Sequence, residues 1–284
     1  MLTSPRIAAR CTRLSLALLL CAAAGAARAQ TETVEIFSAG SLRGVVNDLA
    51  AEVAPRLGVA VKATFGGSGL LRERIEKGAT PDLFMSADLA SPRRLEAAGR
   101  TVVPALAIAR NRMCIVARRA ANVTADNLIE RLLDGRLRVK TSMPVADPGG
   151  DYAWAIFERI DAQHPGAGAV LKDRAQSLMA VTAPAARPGQ HPYAALFEAG
   201  LIDLSITYCS GIRALEKDAP DLTSFPVPAA LDPHPMDGLA ILTSKPGALR
   251  LALYLLSDQG QALVAREGLV PLGAPGDTAN AAPR

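Results

Sequence analysis

Apolar residues recur along this chain in two rhythms. Short solid or alternating runs at 34–37, 59–65, 83–86, 113–117, 137–140, 204–208 and 239–243 predict strands. Between them, at 42–54, 70–77, 91–98, 125–133, 152–163, 168–178, 193–199 and 248–266, apolar positions fall three and four apart and predict helices. Strands alternating with helices over short connections predict an α/β chain with mostly parallel sheets flanked by helices. That many elements exceed one five-stranded sheet, so two lobes are expected. Five prolines between 219 and 235 break the rhythm and predict an irregular return connection. The resulting division gives the first lobe 30–110 and 236–273, the second 111–235, and leaves 274–284 as a tail.

The 284 residues are half hydrophobic and 20% charged, enough for a sizeable core. The first 29 stand apart. Arg6, Arg10 and Arg13 precede an apolar run, and Ala27-Arg28-Ala29 has the form of a cleavage site, so 1–29 reads as a secretory signal peptide and the expected location is the periplasm. Its four arginines are the whole charge excess: of 31 basic residues 27 remain, against 27 acidic ones. A neutral chain without basic tracts excludes nucleic acid as a natural partner. Cys114 and Cys209 are the cysteines left, and they either pair or remain separate buried thiols; no spacing suggests zinc, and no cofactor is expected.

The candidate chemistry lies where strands run into helices. In an open α/β sheet, strand ends face helix N-termini, whose unpaired N–H groups suit an anion without any Lys or Arg. "FSAGSL" at 37–42 and "FGGSGL" at 65–70 place Ser41 and Ser68 at such junctions with glycine beside them. Small side chains let an oxyanion touch the amides, and the hydroxyl adds a donor. Each serine alone is equally a helix cap; two alike loops point to a shared ligand. "VADPGGDYAW" and "PGQHPYAALF" form two more junctions, with amides near Gly150 and Gln190, and Tyr208 closes a strand with a phenol that can donate.

"IFSAGSLRGVVNDLA", "TFGGSGLLRERIEKGATPDLFMSAD", "LIDLSITYCSG" and the closing "LYLLSDQGQALVAREGLVPL" resemble the periplasmic molybdate-binding proteins of ABC importers, over nearly the whole chain after residue 33. The resemblance implies two α/β lobes that close on molybdate or tungstate through neutral donors, and a membrane permease as partner to a monomer. It gives Ser41 and Ser68 hydroxyl-plus-amide roles, Tyr208 the phenol role and Gln190 a backbone amide. The segment after Asp147-Pro148 is shorter than the family's, so the amide at Gly150 or its neighbours is open. Asp151 is expected to cap the following helix; ligation of the metal, or acceptance of a proton from the ligand, are its other readings.

Other classes fit less well. The "GGSG" loop lacks the last glycine of a nucleophile elbow, Leu70 standing in its place, and His164, His191 and His234 each adjoin a proline, so a secreted serine hydrolase has little support. The same fold binding sulfate, phosphate or a small organic acid is the main alternative.

Overall fold

The computed structural model describes residues 31–273 apart from 180, 182, 183, 186, 188 and 189; the expected signal peptide and tail lie outside the described residues. Nine strands occur among them: β1 (Glu32–Ala39), β2 (Val59–Gly66), β3 (Leu83–Ser86), β4 (Leu106–Arg110), β5 (Met113–Arg118), β6 (Val139–Lys140), β7 (Leu204–Tyr208), β8 (Leu222–Pro226) and β9 (Met236–Ile241). One sheet has the order β2-β1-β3-β9-β4, the other β6-β7-β5-β8.

The apolar runs are continuous because the inner strands are covered on both faces. Side chains alternate across a strand. Val34, Ile36, Leu83, Met85, Leu239 and Ile241 therefore face one core, with Leu49, Leu251 and Leu255. Phe37, Phe84 and Ala240 face the other, with Leu71, Ile75 and Leu95 of the helices Ser68–Glu76 and Ala90–Ala97. In the second sheet Ile115, Leu204 and Ile206 meet Phe157 and Ile160, while Val116 meets Leu196, Phe197 and Leu215 on the reverse. Each fully buried Val, Leu, Ile, Phe or Met side chain contributes roughly 1.5–3 kcal/mol.

The expectation of mostly parallel sheets is corrected. β1 pairs with β3, and β6 with β7, in parallel; β9 runs antiparallel to β3 and β4, and β5 antiparallel to β7 and β8. The cause is the crossing of the chain between sheets. Only Asn111 and Arg112 separate β4 from β5, and the return from β8 leads through 227–235 into β9. Strands that carry the chain into and out of a sheet pair in opposite directions, so both sheets are mixed.

Four further elements depart from the expectation. The proline-rich stretch holds β8, which is an edge strand and ends on Pro226, where a missing N–H is tolerated. β4 and the helix Ile212–Asp218 were not legible as such. The helix expected over 248–266 is two, Pro246–Leu256 and Asp258–Arg266, divided at Ser257, whose side chain accepts the Gly260 N–H at 3.2 Å as the second helix's N-cap. Cys114 and Cys209 form a disulfide, with Cα atoms 5.0 Å apart. Cys209 directly follows Tyr208, so the bridge ties the end of β7 to β5.

Candidate functional site

β1 leads through the turn Gly40–Leu42 into the helix Arg43–Asp48. That turn rests on the turn Cys209–Gly211, just beyond β7, where the Ser210 hydroxyl donates to the Ser41 carbonyl at 3.4 Å. Ser41 Oγ is buried there, with no hydrogen-bond partner among the described residues. Ser68 is the first residue of its helix, after Gly67 as N-cap. Its buried hydroxyl does not cap that helix. It accepts the Ala87 N–H at 3.1 Å, which leaves its own proton to donate elsewhere.

Tyr208 ends β7 opposite Met113, and its ring meets that of Tyr152 edge-on at 6.2 Å between centroids. The phenol oxygen is buried without a partner among the described residues. Burial first, and the charge of Asp147 next, push its pKa well above the usual tyrosine value, so it remains a donor at any physiological pH.

The loop before the helix Pro148–Asp161 reaches both groups. Gly149 packs on Tyr208: a Cβ there would stand 3.2 Å from a ring carbon. On the other side the Ala146 carbonyl accepts the Leu70 N–H at 3.2 Å, one of the amides that the first turn of the Ser68 helix leaves without an intrahelical partner. A Cβ on Gly69 would lie 1.9 Å from the Val145 oxygen, and one on Gly67 2.5 Å from that of Ala146. The two sheets' junction loops thus touch backbone to backbone, and glycine permits it.

Asp151 differs from the expectation that it caps this helix. The N-cap is Asp147, which accepts the Gly149 N–H at 2.8 Å. Asp151 stands in the first turn, and its carboxylate oxygens accept the Val145 N–H at 3.0 and 3.2 Å, holding the loop's shape. The Gly150 amide donates to the Asp147 carbonyl at 2.9 Å. The Gln190 amide donates to the Arg187 carbonyl at 2.9 Å, and its side chain bonds Arg187 and Glu198. Neither amide is therefore available as a donor in this conformation; Gly189 lies outside the described residues.

His191 is a cap, its Nδ1 accepting the Tyr193 N–H at 3.2 Å; burial chiefly lowers its pKa and keeps it neutral. The Tyr193 phenol, 3.1 Å from Ser142 Oγ, is pushed up to about 12 by burial. The aspartates of the "TPDLF" and "SAD" stretches are braces. Asp82 is buried and holds Lys245 at 3.0 Å and Thr243 at 2.7 Å; Asp88 accepts the Ser91 N–H at 2.6 Å.

Beside the junction loops lies a cavity of about 300 Å³, lined among others by Arg72, Asp88, Ser91, Arg94, Asp151 and Tyr152. The junction loops carry no Lys or Arg, yet two arginines reach this cavity from the helices behind them. Sequence reasoning also missed Asp237, a lone carboxyl in the apolar strand "MDGLAI". Its placement in an apolar run was the signal that could have found it. Among the described residues no cluster of three or more His, Cys, Asp and Glu could hold a metal ion, and no helix is long and apolar enough to cross a membrane.

Two mixed sheets flanked by helices, joined by a double crossing of the chain and meeting at their junction loops, define the two-lobed fold of solute-binding proteins. The family model for bacterial extracellular solute-binding proteins matches residues 34–270, and the chain belongs to that family. It is 32% identical over 228 residues to an uncharacterized protein of Pasteurella multocida, covering 78% of this chain and 92% of that one. It is 31% identical over 158 residues to the molybdate-binding protein of Escherichia coli, covering 51% of this chain and 59% of that protein. Among solved structures, the sulfate-binding protein of Mycobacterium tuberculosis superposes with a TM-score of 0.66 at 17% identity, covering 86% of this chain and 88% of that one. Membership implies a periplasmic or extracellular location, a captured solute and an ABC-type membrane permease as partner. The family is one of solute-binding proteins, not an enzyme class.

Proposed function

We propose that the protein captures a tetrahedral oxyanion, molybdate and with it tungstate, in the periplasm and delivers it to the permease of an ABC importer. One observation carries this reading. Among the described residues, the hydroxyls of Ser41 and Tyr208 are buried without partners, and that of Ser68 keeps its proton unengaged, at a place where both sheets' loops converge. Buried polar groups are ordinarily hydrogen-bonded; a bound oxyanion supplies the missing acceptors. Ser41 and Ser68 act from the first lobe, with amides of their turns, and Tyr208 acts from the second. Neutral donors suit a dianion that needs no counter-ion, and the 31% identity to a molybdate-binding protein favours molybdate among such anions.

A small organic acid is the second reading, favoured by the cavity that Arg72 and Arg94 line beside the loop of Val145. For a serine nucleophile the geometry offers no base among the described residues, where Ser41 Oγ has no partner and Ser68 Oγ meets only an amide. Isothermal titration with molybdate, tungstate, sulfate, phosphate and small carboxylates decides among the anions. Tight binding of molybdate or tungstate is expected; heat from sulfate or carboxylates alone would overturn the metal-oxyanion reading. Cleavage after Ala29 on export completes the proposal, and mass spectrometry of the exported protein should find Gln30 at its N-terminus.

A further inference from the structure

Asp237 is fully buried, and apart from its own backbone amide neither carboxyl oxygen has a hydrogen-bond partner among the described residues. Buried acids ordinarily have a cation or several donors, so an acid with neither stands ready for something the protein does not itself supply. Asp237 lies on β9 opposite Ala109, at the point where the chain re-enters the first sheet. The residue before it, Met236, has its backbone beside the Tyr152 phenol, and Tyr152 packs edge-on against Tyr208. The residue after it, Gly238, fits closely under the loop of Asp88, where a Cβ would come within 2.8 Å of the Asp88 carbonyl. The titratable groups that face it are Asp88 from the loop after β3, Tyr152 from the helix Pro148–Asp161 and Tyr208 from β7. None is a cation.

We infer that Asp237 belongs to the anion-binding site and donates its carboxyl O–H to an oxygen of the bound anion. The inference rests on the oxyanion reading above and adds a fourth side chain to Ser41, Ser68 and Tyr208. Its support is geometric: the carboxyl is buried near Tyr152 and Tyr208, and the Tyr208 phenol, like the Ser41 hydroxyl, is buried without a partner among the described residues. The proton is in keeping with it, because burial first, and the Asp88 charge next, raise the pKa of Asp237 well above the carboxylate range. An arriving dianion raises it further. In the open cleft, where water reaches the carboxyl, it ionises more readily, so binding takes up a proton as the pH rises.

The sign follows from linkage. A carboxyl whose pKa is higher in the bound state gives full affinity below its free-state pKa. Above that value affinity falls by up to about tenfold per pH unit until the bound-state pKa is reached.

The test is calorimetry with molybdate between about pH 6 and 9, in pairs of buffers of different ionisation enthalpy, which counts the protons taken up. For the unaltered protein the count should rise toward one as affinity falls. Asp237→Asn keeps an N–H donor and should bind within about threefold of the unaltered protein, without the pH dependence. Asp237→Ala, with no donor, should bind about ten- to a hundredfold more weakly. A protein that binds molybdate with no proton uptake, or an Ala variant with unchanged affinity, overturns the role of Asp237 and leaves the oxyanion reading standing. Absence of binding to every oxyanion in the unaltered protein overturns both. The proton count needs no variant, so a misfolded substitution leaves the test intact.

Discussion

Ser41 and Ser68 occupy equivalent places, each where a strand gives way to a helix, but their hydroxyls are engaged differently. Ser41 Oγ has no partner among the described residues, whereas Ser68 Oγ accepts the Ala87 N–H at 3.1 Å. Removing the first costs the fold nothing; removing the second leaves a buried amide unpaired, worth about 1–3 kcal/mol. Both should weaken oxyanion binding by about 1–3 kcal/mol, the range for hydrogen bonds to a charged partner. Ser41→Ala is therefore expected to lose affinity at an unchanged melting temperature, and Ser68→Ala to lose both. Calorimetric titration and thermal melts separate the two, and a Ser41→Ala variant with full affinity counts against its ligand role. Asp151 gives the opposite expectation. Its oxygens face the Val145 amide, a bond that an Asn oxygen can keep. Asp151→Asn should leave molybdate affinity within about twofold, a few tenths of a kcal/mol; a clear loss with the fold intact by circular dichroism would make it a ligand.

At the scale of elements, the deciding contact is the N-terminus of the helix Ser68–Glu76 against the loop 145–147. Gly69 sits in the helix's first turn, a position alanine tolerates and even favours in isolation. Its Cβ would nevertheless stand 1.9 Å from the Val145 oxygen of the other lobe. Gly69→Ala should spare the separate lobes and obstruct their contact. Melting of the ligand-free protein should change little while affinity falls at least tenfold, or about 1.4 kcal/mol. Equal affinity would mean that the loops need not touch to hold the ligand. The sequence made this junction legible because its signals are local: strand, small residues, then helical periodicity. The inner strands were legible for the same reason, their solid apolar runs being buried on both faces. What it did not show depends on pairing across the chain. β8 was hidden by prolines that an edge strand tolerates, and the antiparallel pairings follow from where the chain crosses. The partner of Cys114 is set by the register of β5 on β7, 95 residues apart in sequence. The capping task expected of Asp151 falls to Asp147, because its extended backbone conformation decides which carboxylate caps.

For the whole molecule the crossing is the natural hinge. Asn111 and Arg112 alone join β4 to β5, and the return runs through 227–235, so a few residues on each path can absorb a rotation of one lobe on the other. The crossing is also wired to the candidate ligands. Asn111 Nδ2 donates to Ser210 Oγ at 3.0 Å, and Ser210 donates in turn to the Ser41 carbonyl. Ser210 lies two residues beyond Tyr208, next to the bridged Cys209. A bound anion that takes hydrogen bonds from Ser41 and Ser68 on one side and from Tyr208 on the other has all of them only when the lobes meet. Its differential affinity for that state then shifts the population toward it. The closed contacts already present, Leu70 with Ala146 and Ser210 with Ser41, are few and polar, so without ligand an open form should be well populated. Small-angle scattering should therefore show a smaller radius of gyration with saturating molybdate than without it. Gly69→Ala, at ligand concentrations that still saturate it, should keep the larger value. An identical radius with and without ligand in the unaltered protein would place all of the binding within one lobe, and the division of donors between Ser41, Ser68 and Tyr208 would then be wrong.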